Sequence, residues 1–332
     1  MKKFVKLLFV SAALLTFAFP AISEAKKTYI FFGASAATSS HYAYVVGAAK
    51  AINKYVPDVK ANVVETGASV DNIKRIESKE IDIGIGSMKT MYEAWAGLAR
   101  WKNQPAKDLR LLWLYAIGID FIVVREDSGI KKLEDLNGKK FNPGIRGSAS
   151  EATTKQIFKI LGIKPIYHIG ATSDAVKAIK DNRIVGYVKS GVGTQLDAST
   201  LDIMTLTKLR LIPLTKQHMD KITAAVPYIS FITIPSGGIK AMPNQAEYSM
   251  WGRPIGVMCS KSLPDDLAYK LVNGIIKGEQ FQAAAWPAIK ELDLVQDPVD
   301  LTLIPLHKGA LDAFRDLGAK NIPPAAIPPE AR

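Results

Sequence analysis

The fold prediction starts from FFGASAATSSHYAYVVGAA, residues 31–49. This stretch predicts a short apolar strand, a loop of small and hydroxyl-bearing residues, and an amphipathic helix whose apolar residues recur every three or four positions. A helix that begins at an uncharged loop presents N–H groups that suit a carboxylate or phosphate. Taken alone, the stretch fits an ordinary strand-to-helix turn with a serine cap better than a ligand site. Its candidate ligand-binding residues are Ser35, Thr38, Ser39, Ser40 and Tyr42.

Composition places the chain among exported proteins of about two domains. It has 332 residues, of which 48% are hydrophobic and 22% charged, which is ample for a core. Three lysines precede an apolar run at residues 7–19, and Ser23-Glu24-Ala25 follows it. This order is typical of a signal peptide, here predicted to be cleaved after Ala25. No later apolar run approaches the ~18 residues of a membrane span, so the sequence predicts a periplasmic protein.

Charge and cysteine content narrow the function further. The formal net charge is +12, which would suit nucleic acid. Export and the spread of the lysines along helix faces argue against that partner. Two interpretations of the positive net charge stay open. Either it creates a weak electrostatic field that favours anionic solutes, or it is a solvated basic surface without a specific partner. The single cysteine, Cys259, excludes an internal disulfide, and its apolar surroundings indicate a buried side chain.

The order of elements predicts an α/β fold with two lobes. Strands are predicted at residues 60–65, 81–86, 109–115 and 121–125, with helices at 70–78 and 89–99 between them. A second alternating run follows from residue 139. This pattern is typical of βαβ units around mainly parallel sheets. Strands near residues 121–125 and 255–260 would be the hinges, with lobe 1 formed by 26–122 and 257–332 and lobe 2 by 123–256. Ligands of such sheets bind at the carboxyl ends of strands, here in a central cleft.

Further strand-to-helix junctions repeat the chemistry of the first loop. Each is weak by itself, because serine and glycine are common where helices begin. Together they predict a cleft lined by hydroxyls and N–H groups that captures a carboxylate without chemistry. Arg146 lies in a glycine loop, and ligand binding and plain solvent exposure are equally good interpretations of it. The remaining candidates are Thr66, Gly67, Ser69, Asn72, Ser87, Gly147, Ser148, Ser150 and Ser190, with Trp251 as an apolar wall and Arg253 as a weaker cation.

Catalytic and metal-binding motifs are not found in the sequence. There is no G-x-S-x-G elbow and no HExxH pair. The histidines His41, His168, His218 and His307 lack the spacing of metal ligands. The chain is therefore predicted to be no enzyme and to carry no cofactor or metal.

Several stretches together resemble a known family. They are the loop ending in His41-Tyr42, TGASVDNI at residues 66–73, EIDIGIGS at 80–87, SGIKKLEDLNGKKF at 128–141 and GIRGSASE at 144–151. With LHKGA at residues 306–310, where Lys308 replaces a family proline, they resemble the TAXI proteins, the extracytoplasmic solute receptors of TRAP transporters. The resemblance implies a type II periplasmic-binding fold. By position it implies ligand contacts from Ser35, Thr38, Ser39, Tyr42, Thr66, Ser69, Asn72, Ser87, Ser148 and Ser190.

The expected function is a monomeric periplasmic receptor for a small organic anion. The resemblance implies a ligand of the glutamate or 2-oxoglutarate type, passed to the membrane permease of a TRAP transporter. Two alternatives stay open at this point. One is an ABC-type receptor for a sulfonate or similar anion, and the other is a ligand-sensing periplasmic protein.

Overall fold

The computed structural model describes residues 27–243 and 246–332. The predicted signal peptide, residues 1–25, lies outside them. The strands are β1 (Thr28–Gly33), β2 (Val59–Val64), β3 (Ile83–Ser87), β4 (Leu109–Arg125), β5 (Lys140–Asn142), β6 (Ile166–Tyr167), β7 (Gly186–Val192), β8 (Leu209–Leu211), β9 (Ser230–Ile234) and β10 (Tyr248–Ser260). The α-helices are α1 (Ser40–Tyr55), α2 (Ser69–Glu77), α3 (Met88–Ala96), α4 (Ala149–Leu161), α5 (Thr172–Lys180), α6 (Ala198–Met204), α7 (Lys216–Ala225), α8 (Asp265–Lys277), α9 (Glu279–Ala285), α10 (Asp297–Asp300) and α11 (Lys308–Asp316). Short 3-10 helices cover Ala99–Trp101, Glu126–Ser128, Leu133–Leu136, Pro287–Glu291 and Pro329–Ala331.

The strands join into one mixed sheet. Its order is β2-β1-β3-β10-β4-β7-β5-β6, with β8 beside β4 and β9 beside β10. The parallel pairs are β1 with β2 and β3, and β5 with β6 and β7. Every antiparallel ladder in the described chain includes β4 or β10. The predicted α/β class with mainly parallel sheets in two lobes is confirmed, and the two long strands β4 and β10, which pair antiparallel, connect the lobes.

The apolar side chains form two separate cores. The first contains Phe32, Trp113 and Phe314 and draws on β1–β3, the first part of β4, the end of β10 and the C-terminal helices. The second contains Phe141 and Trp251 and draws on the remainder of β4, on β5, α4, β7 and the start of β10. We call the parts of the chain around these cores lobe 1 and lobe 2. The predicted lobe boundaries at residues 122 and 256 fall inside β4 and β10 and stay a prediction.

β4 is longer than the sequence predicts. Two strands, 109–115 and 121–125, were expected to be separate, because Gly118 and Asp120 interrupt the apolar run. The structure has one strand of 17 residues that crosses from lobe 1 to lobe 2. The strand continues through Asp120 because the buried carboxylate of this residue is paired with Arg253 of the neighbouring strand. A buried charge with a partner does not have to turn toward water.

β10 likewise begins earlier than the predicted residue 255 and continues through Pro254. Proline has no N–H and is usually confined to edges and irregular positions of sheets. Pro254 falls in a gap between two ladders, since pairing with β9 ends at Gly252 and pairing with β3 begins at Ile255. Register shifts against β4 follow immediately at Ile255 and Val257. The part of β10 that passes from lobe 2 to lobe 1 is therefore its irregular part.

Serine side chains cap the N-termini of three helices. Ser39, Ser87 and Ser148 accept hydrogen bonds from the first-turn N–H groups of α1, α3 and α4. The loop before α4 needs glycine at residue 144, because its φ is +129° and a Cβ there would lie 2.5 Å from the Glu151 nitrogen.

No helix in residues 27–243 or 246–332 is long and apolar enough to cross a bilayer.

Candidate ligand-binding site

A cavity of about 50 Å³ lies between the two lobes. It is found where β1, β3 and β5 end, at the carboxyl edge that α/β sheets use for ligands. Both lobes supply walls, and many of the lining side chains carry hydroxyls. The lining residues are Ser35, Ser39, His41, Ala68, Ser69, Ile85, Gly86, Ser87, Tyr115, Ile145, Ser148, Ala149, Ser150, Val188, Lys189, Ser190, Arg253 and Ile255.

Arg253 of β10 lines the cavity and pairs with a buried carboxylate behind it. Its Nη1 donates to Asp120 Oδ2 at 2.6 Å and its Nη2 donates to Asp120 Oδ1 at 3.0 Å. The Trp251 indole and the Ser150 hydroxyl also donate to this carboxylate. The Arg253 Nε is buried without a hydrogen-bond partner among the described residues. An orphaned donor on a guanidinium is a place where an anion can bind.

Lys189 of β7 supplies a second cation to the wall. Its Nζ donates to Ser39 Oγ at 3.2 Å and lies 3.5 Å from Asp197 Oδ1. Burial alone would raise the pKa of Asp197, but Lys189 and the donors of Ser199 hold that pKa below its usual range. Lys189 and Asp197 therefore form a buried ion pair beside Ser39, in the loop between β1 and α1.

Asp197 also caps a helix of the other lobe. Ser40 N, in the first turn of α1, donates to Asp197 Oδ2 at 3.0 Å, and Ser39 Oγ donates to the same oxygen at 3.1 Å. The sequence prediction placed a ligand anion at this helix N-terminus, and the structure places a carboxylate of the chain itself there. The N-terminus of α1 is thus used to join lobe 2 to lobe 1, and this contact is the first of three bridges between the lobes.

His41 is a neutral polar group of the cavity wall. Its Nδ1 lies 3.0 Å from the Tyr115 hydroxyl, and its ring packs 5.0 Å from that of Trp286. Burial lowers the pKa of His41 to about 4, although Asp197 acts in the opposite direction. At neutral pH this histidine contributes hydrogen bonding but no charge.

A second bridge between the lobes is made by the backbone. The Gly147 carbonyl of lobe 2 accepts from Val70 N at 2.9 Å and Asp71 N at 3.2 Å, at the start of α2. The chain passes so close that a Cβ on Gly67 would lie 2.5 Å from the Arg146 carbonyl oxygen. This position therefore has no space for a side chain while the lobes are together.

A third bridge joins α3 of lobe 1 to lobe 2. The Glu93 carboxylate accepts from Lys89 Nζ at 2.8 Å and from the Tyr228 hydroxyl at 2.9 Å. Lys89 also donates to Gln156 Oε1 at 2.8 Å. Burial lowers the pKa of Lys89, and the Glu93 carboxylate opposes that change. The three bridges each join lobe 1 to lobe 2, so the lobes are in contact in this structure.

The predicted binding residues fall into two groups. One group lines the cavity: Ser35, Ser39, Ser69, Ser87, Ser148, Ser150 and Ser190. The other does not: Thr38, Ser40, Tyr42, Thr66, Gly67, Asn72, Arg146, Gly147 and Trp251. Thr38 and Arg146 are exposed to solvent. Asn72 is buried and donates to backbone carbonyls, among them Ala34 O at 3.0 Å, so it fixes the first loop instead.

Sequence reasoning did not select the strongest groups of the cavity. Lys189 was taken as an ordinary strand residue, Tyr115 was considered only as one of several aromatic residues that could form an apolar wall, and Arg253 ranked below Arg146. The signal that was available is the arginine inside an otherwise apolar strand, since a buried arginine needs a carboxylate partner. That partner, Asp120, interrupts the other long strand in the same way.

The described residues show no arrangement suited to metal chemistry. Across the part of the chain that the structure describes, no group of three or more His, Cys, Asp and Glu residues is placed to hold a metal ion. The Cys259 thiol is fully buried, and burial raises its pKa. The cavity itself offers neutral donors and paired cations, which can hold an anion.

The fold is that of type II periplasmic-binding proteins, with two α/β lobes joined by two strands around a central cleft. Among solved structures, MatC from Rhodopseudomonas palustris with bound malate matches at a TM-score of 0.52 with 12% identity, over 79% of this chain and 88% of that chain. An ancestral arginine-binding protein bound to arginine matches at 0.49 with 18% identity, over 80% and 98%. The alkanesulfonate-binding protein of Xanthomonas axonopodis pv. citri bound to MOPS matches at 0.46 with 13% identity, over 91% and 86%.

The family follows from the sequence itself. The NMT1-like family matches residues 32–318, which extend from β1 to the end of α11. The chain belongs to the NMT1-like family.

Proposed function

We propose that the chain is a periplasmic solute receptor of a TRAP transporter. It would capture a small organic anion between its lobes and deliver it to a membrane permease, without catalysing a reaction. The observation that carries the proposal is the interlobe cavity, whose wall combines Arg253 and Lys189 with hydroxyls from both lobes. A ligand held from both sides favours the closed arrangement, as a receptor requires. The resemblance to TAXI proteins supports the TRAP assignment.

Ligand binding by the purified mature protein tests the proposal. A thermal-shift screen against carboxylates and sulfonates should find compounds that raise the unfolding temperature, because binding to the native state stabilises it by mass action. Calorimetry with each hit should then compare Lys189→Gln with Arg146→Gln, which removes a cation from the exposed loop. Loss of one charge-assisted bond at Lys189 should weaken binding by roughly 10- to 150-fold. Equal losses in both variants, or a loss only in Arg146→Gln, would place the ligand elsewhere.

The transport system has its own test. Neighbouring genes for four- and twelve-helix membrane subunits support the TRAP proposal. A neighbouring ATPase gene supports the ABC-type alternative, and a histidine-kinase partner without a permease supports a sensor. Co-purification with membrane subunits expressed from those genes would establish the partner directly.

Export is part of the proposal. The basic segment, apolar run and Ser23-Glu24-Ala25 pattern lead us to propose cleavage after Ala25. N-terminal sequencing of the exported protein should begin at Lys26. A mature chain that retains the apolar run at residues 7–19 would contradict this processing.

A further inference from the structure

Asp120 has no acceptor capacity left for a ligand. Among the described residues it receives hydrogen bonds from both Arg253 Nη atoms, from Ser150 Oγ at 2.6 Å and from Trp251 Nε1. A carboxylate has about four lone-pair positions, and all are occupied here. Asp120 is fully buried and does not belong to the cavity lining.

Asp197 is saturated in the same way. It accepts from Ser39 Oγ at 3.1 Å, Ser40 N at 3.0 Å, Ser199 N at 2.9 Å and Ser199 Oγ at 2.6 Å. It also lies beside Lys189, and it too is absent from the cavity lining. Among the described residues that line the cavity there is no carboxylate.

Three residues that line the cavity carry donors without a full set of partners. The Lys189 ammonium carries three protons, and Ser39 Oγ accepts one of them at 3.2 Å. The Arg253 Nε and the Ser35 Oγ are buried side-chain atoms without partners in the described chain, and both residues line the cavity. Each of these three residues is more than nine-tenths buried. The wall is therefore rich in donors, and the acceptors among its side chains are uncharged: the hydroxyls and the neutral imidazole of His41.

From this asymmetry we infer that the cavity selects organic acids that lack an ammonium group. It takes 2-oxo or 2-hydroxy acids and rejects the 2-amino acids of the same skeleton. This deepens the proposed receptor function and rests on it. A ligand ammonium would lie near Lys189 and Arg253 and would find no carboxylate to balance its charge. An unpaired charge in a buried site is costly, and we expect roughly a hundredfold weaker binding of the amino acid.

Matched pairs of ligands test the inference on the native protein. Calorimetry should compare lactate and pyruvate with alanine, malate with aspartate, and 2-oxoglutarate with glutamate. Binding of an acid with at least ~30-fold weaker binding of its amino partner supports the inference. Equal or tighter binding of the amino partner overturns it and leaves the receptor function intact. If no member of any pair binds, both the inference and an organic-acid receptor are wrong.

A pair of variants tests the physical cause. Ser35→Asp places a carboxylate on the cavity wall and should raise the relative affinity for the amino member at least tenfold. Thr38→Asp adds the same charge to the same loop at an exposed position and should leave the preference unchanged. An unaltered preference in a folded Ser35→Asp protein, or an equal change in both variants, would show that the missing acceptor is not the cause. If Ser35→Asp does not fold, the ligand pairs still decide.

Discussion

Single residues set the chemistry of the cavity, and the pairing of Arg253 with Asp120 is the central example. Both side chains are buried, and their geometry is bidentate. A buried ion pair adds little net stability, but loss of one partner costs about 3–5 kcal/mol because the other charge stays unbalanced. Asp120 therefore holds the guanidinium in place at the cavity wall, and Nε stays a buried donor without a partner among the described residues.

The first prediction concerns two hydroxyls of one loop. Ser35→Ala removes an unpartnered hydroxyl of the cavity wall and should weaken ligand binding about fivefold, the value of one neutral hydrogen bond of ~1 kcal/mol. Its unfolding free energy should hardly change, because that hydroxyl has no partner in the described protein. Thr38→Ala is the control, since Thr38 is exposed and away from the cavity. Calorimetry that finds equal losses in both variants would contradict this placement of the ligand.

The second prediction concerns pH and His41. The pKa of His41 is lowered by burial to about 4 from 6.5, so between these values the unfolded chain binds a proton that the native protein does not. The free energy of unfolding should therefore rise with pH across this window. The contribution of His41 is about 3 kcal/mol, fully present above pH 6.5 and lost as the pH falls toward 4.

Urea unfolding of the native protein and of His41→Gln over this pH range isolates that contribution. The difference in unfolding free energy between them should grow from pH 4 to 7. His307, whose pKa burial also lowers, is present in both proteins and cancels. Parallel curves would mean that His41 gains its proton in the folded state.

At the scale of elements, the approach of the α2 loop to the α4 loop gives a third prediction. Gly67→Ala would place a Cβ 2.5 Å from the Arg146 carbonyl oxygen, and a backbone atom cannot move aside as a flexible side chain can. The lobes should then fail to close fully, with at least a tenfold loss of ligand affinity and little change in the unfolding temperature without ligand.

Gly170→Ala is the matched control for this variant. Its Cβ would meet the flexible Asp174 side chain at 3.2 Å, and binding should be unchanged. Full affinity in Gly67→Ala would show that this contact is not needed for the bound state.

Local patterns predicted many elements, because their cause is local. The helix at residues 70–78 appears as α2, Ser69–Glu77, and the helix at 89–99 as α3, Met88–Ala96. α3 ends early because Gly97 adopts a left-handed conformation with φ of +73°. The seven-residue helix α6 was not predicted. Its cap, Asp197, accepts locally from Ser199 N and also joins the distant Ser39 and Ser40, which no local pattern shows.

The cavity was harder to predict than the elements for the same reason. Helix-capping serines are visible in sequence, and those at Ser87 and Ser148 do line the cavity. The cations are not visible in this way, because Arg253 and Asp120 are brought together by the antiparallel pairing of β10 with β4 across a long sequence separation. Burial and pairing decide which arginine faces the cavity, and neither can be read from a loop motif.

For the whole molecule, the bridges around the cavity predict closure upon binding. Small-angle scattering should show a smaller radius of gyration with ligand than without, because a ligand that contacts both lobes favours their closed arrangement. An unchanged radius at saturating ligand would count against closure but not against binding.

Tyr228→Phe tests whether a contact outside the cavity sets this balance. The change removes the hydroxyl bond to Glu93 and keeps the ring beside Tyr92. It should weaken ligand binding by up to about fivefold, since one bond of ~1 kcal/mol is lost from the closed state. Tyr269→Phe removes a similar bond to Asp316 within lobe 1 and should leave affinity unchanged.

The path of the chain through β4 and β10 has a consequence for synthesis. The second core uses one continuous segment, from Ile119 to Trp251. The first core needs both ends of the chain, and its sheet lacks the partner of β3 until β10 has been made. During translation, all residues of the lobe 2 core would therefore have been synthesised while lobe 1 still lacked the end of β10. The strands of lobe 1 would then keep unpaired edges. Such edges invite aggregation, so early folding of lobe 2 would not protect lobe 1 from aggregation before β10 has been synthesised.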